Sequence, residues 1–509
     1  MTRIDGRTLH APLTLSVDVV VVGSGPAGSA VAADLAARGV QVAVVEAGRW
    51  FEPSDFGSSA FDGMSGAYRD MGSSVVVGRA PMPYLQGKMV GGSSPINGAI
   101  CWRLPADVHH RWIRDDRALV DALPWDVIES VTDALEARLH IEPTDPAVAG
   151  PKNLLMAKGA DALGLEHRPI RRNVSGCTGL GRCMQGCPAG NKLSVDRTLL
   201  SDAMADGATV VSSVEVTEVV TRRGRATGIV GRSSSGSPVH VRASTAVVVA
   251  ASAVQTPVLL LSSGIDQGPV GHHFQGHPGV SMSGRFEEPV RMWEGATQGH
   301  EVIGLRHEGL KFEALGFGID ILAARLPGVG RGLARQLEDL AHHVDWGVAV
   351  KAQAHGRVRV VRGRTVVSYE PTRADIAQFR RGLRVLGEMM LAAGAQHVDP
   401  GVRGYRSPIT DVADLVHLER HGPRNPAVFT TAITHMFGTA RMGSVPSTSV
   451  VRPDFRHHRI DSLYVADSSV FPTATGVNPQ VSIMAIAQLC AQSVAGVGAG
   501  AATEMRTRA

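Results

Sequence analysis

A seven-residue turn constrains this chain more than any other feature. GSGPAGS at 23–29 lies between an apolar run, Val19–Val22, and an Ala/Leu-rich stretch, Ala30–Ala37, that Gly39 ends. A second apolar run, Val42–Val45, closes on Glu46. The pattern predicts a strand, a helix and a second parallel strand, with Gly23, Gly25 and Gly28 in the G-x-G-x-x-G spacing. Gly23 permits the tight turn, Gly25 lets the backbone approach a pyrophosphate, and Gly28 lets the helix lie close on the strand. The free N–H groups at the helix start favour phosphate. Glu46, 18 residues after Gly28, stands where an acid can accept a ribose hydroxyl. A glycine triplet alone also suits any tight strand–helix turn. With both strands, the helix and the terminal acid present, it predicts a dinucleotide site, for NAD or FAD alike.

The chain as a whole is too long for one simple core. Its 509 residues call for two domains, or one large domain with an insertion. A net charge of +4 with no dense Lys/Arg patch excludes nucleic acid as the expected partner. No run of about 18 apolar residues offers a transmembrane helix, and residues 1–17 lack the pattern of an export signal. Five cysteines, a low and odd number, fit reduced thiols and a cytoplasmic location.

Periodicity places the other elements. A helix is predicted at about 125–140. Residues 209–216 and 226–231 read as strands, with Arg222-Arg223-Gly224 as a turn between them. Residues 247–265 read as strand, small-residue turn and a short helix stopped by Gly264. Trp346–Ala352, Val358–Val361 and Thr365–Tyr369 read as strands. Thr372 and Asp375 start a helix whose apolar face is Ile376, Phe379, Leu383, Leu386 and Met390, ended by Gly394. Ser462–Asp467 is a strand ending in an acid. A Gly/Pro/Asn loop follows, then a helix from Val481 to about Ser493, which brings a second helix start to the crevice.

Four blocks, in order, carry a family resemblance: GSGPAGS with Glu46; GKMVGGSSPINGA at 87–99; AVQTPVLLLSSGI at 253–265; and HMFGTARMG at 435–443 followed by LYVADSSVFPTATGVNPQ at 463–480. Over about 18–495 the chain resembles the glucose–methanol–choline (GMC) family of FAD oxidoreductases, in its bacterial and long-chain-alcohol-oxidase-like branch. The resemblance implies FAD rather than NAD and an α/β fold. A Rossmann-like FAD-binding domain, discontinuous over 13–285 and 430–500, would sit beside a sheet-plus-helix substrate domain at 286–429. It implies that Gly92, Ser93 and Asn97 run along the flavin and its phosphates, that Asp467 and Gln480 lie near the cofactor, and that the Val216 backbone meets the adenine.

Oxidising an alcohol requires a base for the hydroxyl proton and a carbon held against the flavin. By itself a histidine such as His435 is more often a surface or packing residue. Its place ahead of G-T-x-x-M-G matches the family's base, and its ordinary pKa of about 6.5 leaves it neutral near pH 7. The family's paired position, often histidine, is Asn478 here, whose amide can hydrogen-bond the substrate oxygen without competing as a base. His277 matches a structural position near the domain boundary, and His457-His458 reads as a solvated polar loop; neither is expected to be catalytic.

Cys177, Cys183 and Cys187 follow a C-x5-C-x3-C-P spacing. Three thiolates could hold a three-iron cluster, as the resemblance to cytochrome-reducing sugar dehydrogenases suggests; free thiols also pack as small apolar groups, and that reading is preferred. The expected function is hydride transfer from a CH-OH group of an alcohol, sterol or sugar to flavin N5, with quinone, cytochrome or oxygen as acceptor. Two alternatives stay open: a flavoprotein subunit passing electrons through an iron–sulfur centre, and a non-catalytic flavin-binding protein.

Overall fold

The computed structural model describes residues 2–57, 59–325 and 329–507. Two large sheets organise it. In the first, Leu13–Val22 lies parallel between Val42–Val45 and Pro238–Val249. Thr209–Ser212 and then Thr2–Asp5 extend the parallel set beyond Val42–Val45. Pro238–Val249 carries the antiparallel hairpin Val214–Arg222/Arg225–Ser233 along its first half and the parallel strand Leu463–Val465 at its end. Val19–Val22 and Val42–Val45 are buried throughout, as unbroken apolar runs in a parallel sheet covered on both faces require.

The helix Pro26–Ala37 follows the first of these strands and packs on the C-terminal helix Gln480–Thr507. Its buried face is mostly small: Ala27, Gly28, Ala30, Ala32 and Ala36. Small side chains let two helices and a sheet approach closely. Gly39, with φ of 78°, terminates it in the left-handed conformation expected of a residue just past a helix end. This is the predicted βαβ unit, Rossmann-type in form.

The second sheet has seven antiparallel strands in the order His397–Asp399, Gln275–Arg285, His343–Val350, Leu310–Ala314, His300–Val302 and His167–Pro169, with Thr431–Phe437 also on Gln275–Arg285. The helix Arg373–Ala393 covers one face. Thr372 Oγ1 accepts the Asp375 amide and the Asp375 carboxylate accepts that of Thr372, a reciprocal cap. Ile376, Phe379, Leu383, Leu386 and Met390 are buried beneath it, with Trp346, Phe312 and Val348 among the sheet residues of the same core. Gly382 is where the helix comes nearest, since a Cβ there would lie 2.7 Å from Val348 Cγ1.

Two features differ from the sequence reading. Three of the seven strands, at 167–169, 275–285 and 431–437, lie outside 286–429, because the inner strand Gln275–Arg285 takes a different partner along each half. Arg357–Val361 and Arg364–Ser368 form a hairpin of their own outside this sheet, with Ser368 bridged to Val77. Among the described residues no helix is long and apolar enough to cross a membrane.

Candidate active site

The glycine turn forms a bare backbone cradle. Gly23 has φ of 98°, and a Cβ there would sit 2.4 Å from Ala250 O. A Cβ on Gly28 would lie 1.9 Å from Gly23 O, so the helix rests directly on the turn. At Gly25 the nearest atom to an added Cβ is Gly92 Cα at 3.8 Å, whereas a Cβ on Gly92 would come within 2.7 Å of Gly25 Cα. Two loops thus meet backbone to backbone. No side chain caps the helix Pro26–Ala37 at Gly25, and Pro26 takes its first position. Its leading N–H groups remain open to a phosphate, which is the fit a dinucleotide needs.

Glu46 ties the cradle together. Its Oε2 accepts from the Ser24 amide (2.9 Å) and hydroxyl (2.8 Å), and its Oε1 from the Gly48 amide (2.8 Å). Ser24 Oγ in turn accepts the Gly91 amide at 3.0 Å. Burial pushes the Glu46 carboxyl up, and the N–H donors oppose it. Carboxylate oxygens have lone pairs beyond these bonds, enough for a ribose hydroxyl. Ser93 Oγ accepts the Gly87 amide. Asn97 and Gln480, distant in sequence, meet at 2.5 Å, Asn97 Nδ2 donating to Gln480 Oε1. Val216 lies beside a register shift in the Val214–Arg222 hairpin. Asp467 is a brace, accepting from Ser252 N (3.0 Å), Thr256 Oγ1 (2.5 Å) and Ser469 N (2.8 Å), which fixes the Ser252–Ser262 helix against the C-terminal segment.

His435 stands on the strand Thr431–Phe437 with φ of 53°. The ladder pairs Gln275 with Phe437 and His277 with Thr434, so His435 and Met436 together oppose Gly276. This bulge turns the imidazole out of the strand's alternation. A non-glycine residue in the left-handed region stores strain, and such strain concentrates at functional sites. His435 Nε2 lies 3.4 Å from Asn478 Nδ2, and its Nδ1 lies 3.1 Å from His277 Nδ1. Gly476 N donates to His277 Nε2 at 2.9 Å.

Behind Asn478 is a buried ionic cluster. Lys311 donates to Asn478 Oδ1 (2.8 Å), to Glu301 Oε2 (2.7 Å) and to Glu313. Glu301 is held further by Arg168 Nε (2.8 Å) and Trp102 Nε1 (2.8 Å). Burial draws Lys311 down and the two carboxylates outweigh it, so the ammonium persists. Burial lowers His435 to about 4, with Glu313 opposing and Lys311 adding to the shift; burial likewise lowers His277, which stays neutral. A cavity of about 440 Å³ bordered by Cys101, Trp102 and Arg168 adjoins this cluster.

His277 is therefore in direct contact with His435, a contact that the sequence does not reveal. His457 is also not solvated: it is buried, its Nδ1 accepting the amides of Arg459 (3.2 Å) and Ile460 (3.1 Å), because the 456–462 turn folds back on Leu463–Val465. Lys311, Glu301 and Glu313 were missed. The strand 310–314, LKFEA, does carry a signal: Leu310, Phe312 and Ala314 share one face, leaving Lys311 and Glu313 together on the other.

The cysteine loop does not present a metal-ligand set. Among the described residues no three His, Cys, Asp or Glu side chains are placed to hold a metal ion. Instead Arg172, fully buried, points at two sulfurs, Cys183 Sγ at 3.2 Å and Cys177 Sγ at 3.8 Å. Burial pushes the Cys183 thiol up, and Arg172 and Lys192 reverse this, leaving it below its usual value. Lys192 binds the carbonyls of Pro95 (2.9 Å), Asn97 (2.5 Å) and Cys183 (3.0 Å), anchoring the loop to the 94–97 turn.

Two family profiles described as GMC oxidoreductase match residues 18–279 and 352–487. An uncharacterized GMC-type oxidoreductase of Mycobacterium tuberculosis is 35% identical over 491 residues, covering 96% of this chain and 77% of its own. A long-chain-alcohol oxidase of Arabidopsis thaliana is 26% identical over 507 residues, covering 95% and 69%. Among solved structures, formate oxidase from Aspergillus oryzae aligns with a TM-score of 0.72 at 17% identity, over 94% of this chain and 98% of that one. Pyridoxine 4-oxidase from Mesorbium loti aligns at 0.69 and 18%, with the same coverage. With both profiles spanning most of its length and a relative of 35% identity matched nearly end to end, the chain belongs to the GMC oxidoreductase family.

Proposed function

We propose that this FAD-dependent oxidoreductase oxidises a CH-OH group of an alcohol, sterol or sugar-type substrate, with His435 as the base and Asn478 as its partner. The observation that supports it most is convergence: a bulge on one sheet and a loop beside the other bring His435 Nε2 and Asn478 Nδ2 within 3.4 Å, against a buried ionic cluster. FAD, when bound, supplies the hydride acceptor. Gly23, Gly25, Gly28 and Gly92 would hold its phosphates and Glu46 its ribose. Ser93, Asn97 and Gln480 would line its flavin side, Val216 its adenine, and Asp467 would brace the wall. The first sheet with 430–500 acts as the FAD-binding part and 286–429 as the centre of the substrate part.

Asn478 donates an N–H to the substrate oxygen while His435 Nε2 takes its proton. Two neutral rings carry two protons, and only one fits between His277 Nδ1 and His435 Nδ1. Placing the other on His277 Nε2, at the expense of the Gly476 hydrogen bond, leaves His435 Nε2 free to accept. His277 thereby sets whether His435 meets the substrate as acceptor or donor. Five unpaired cysteines support a reducing, cytoplasmic setting.

The test is anaerobic mixing with long-chain alcohols, sterols, sugars and glycosides, reading the bleaching of the flavin. One class should bleach it; a flavin that dithionite reduces and no alcohol does would leave a binding protein without this chemistry. The pH profile is a second expected result. A base works only unprotonated, and His435 is lowered to about 4. The reduction rate should stay level from neutral pH into the weakly acidic range and fall only as pH approaches about 4. Stopped-flow reduction across that range checks it, and an inflection at the ordinary histidine value, about 6.5, would remove His435 from the role.

A further inference from the structure

Lys311 has a role that neither the glycine motifs nor the His435–Asn478 pair contains. Its side chain is 1% exposed, and that of Glu301 is 0%. An ammonium has three N–H bonds and no acceptor, and here each N–H has its own partner: Glu301 Oε2, Glu313 Oε1 and Asn478 Oδ1. We propose that Lys311 is a positioning residue that fixes the amide of Asn478 with its oxygen turned inward and its N–H2 turned to His435 and the substrate oxygen. The inference rests on the reading of His435 and Asn478 given above.

The two ends of a side-chain amide are nearly identical in shape, so their neighbours decide which way it faces. Lys311 can only donate. A flipped Asn478 would set two donors against each other in a buried site and offer the substrate a second acceptor where a donor is needed. The ammonium cannot swing aside, because both its carboxylates are held from behind: Glu301 by Arg168 and Trp102, and Glu313 by Gln298 Nε2 at 2.7 Å. With its three N–H bonds occupied, Lys311 offers nothing to a substrate anion. The same geometry therefore selects an uncharged hydroxyl at this point.

The test is a double-mutant cycle on flavin reduction in the FAD-loaded enzyme. Lys311→Met should retain FAD and slow reduction about 10- to 100-fold, somewhat less than deleting an oriented donor outright. In an Asn478→Ala background the same change should cost no more than about twofold, the usual scatter of additivity. A second readout is the acidic limb of the pH profile. The groups facing His435 are His277, Glu313 and Lys311, with Lys351 beyond His277; removing the Lys311 charge leaves Glu313 unopposed and moves the limb to higher pH. If Lys311→Met fails to fold, Lys311→Met with Glu313→Gln removes one charge of each sign and reports the cycle alone, since the groups that raise and lower His435 are then both gone. An equal cost in both backgrounds, or an unmoved limb in Lys311→Met, overturns the proposal. An Asn478→Ala enzyme reduced at the wild-type rate overturns the pair itself and the proposal with it.

Discussion

Gly25→Val is expected to give a folded but colourless protein. The chain itself has room for a Cβ at this position, the nearest atom being Gly92 Cα at 3.8 Å, and the residue's φ of −64° suits any side chain. The branched side chain instead occupies the space in front of the uncapped helix Pro26–Ala37, where the pyrophosphate must approach. Gly28→Ala provides the contrast. Its Cβ would lie 1.9 Å from Gly23 O, so helix and strand must separate and the fold itself is lost. Circular dichroism and flavin absorbance together separate the two. A Gly25→Val protein holding one FAD per chain would mean that the pyrophosphate lies elsewhere, and a nucleotide extract containing NAD without flavin would overturn the cofactor.

Replacing His435 should slow flavin reduction by roughly 10²–10⁴-fold with FAD retained, the usual scale for a positioned base. The backbone decides which replacement is informative. At φ of 53° alanine is strained, whereas asparagine adopts this region more readily. His435→Asn thus keeps the bulge and removes the base; His435→Ala loses both. Both should retain the yellow colour, since the cradle lies on the other sheet. A loss below about threefold in His435→Asn, against that expected scale, would place the base elsewhere.

The local parts of this fold were legible in the residues. Val19–Val22, GSGPAGS and Val42–Val45 fold as a strand, turn, helix and strand because each carries its own periodicity and punctuation, and the Thr372 cap and Gly394 stop bound their helix for the same reason. What could not be read is what depends on pairing between distant segments. Gln275–Arg285, QGHPGVSMSGR, has no apolar run to mark it as a strand, yet its register against Thr431–Phe437 creates the bulge that aims His435 and brings His277 against it. Lys311 and Glu301 resemble surface residues until the fold buries them together. The polar neighbours of His457 read as a solvated loop, because a turn folding back on a buried strand is invisible to local composition.

Segments far apart along the sequence meet in the first core, and this governs the order in which that core can close during synthesis. The helix Pro26–Ala37 is made long before one of its packing partners, Gln480–Thr507, and before Leu463–Val465, which joins the same sheet. Until then the early helix can rest on its own sheet and on Leu199–Ala205, but the face that meets Gln480–Thr507 stays uncovered. Asn478 emerges in the same final stretch. Closure of the first core and the arrival of Asn478 beside His435 therefore depend on the same late segment.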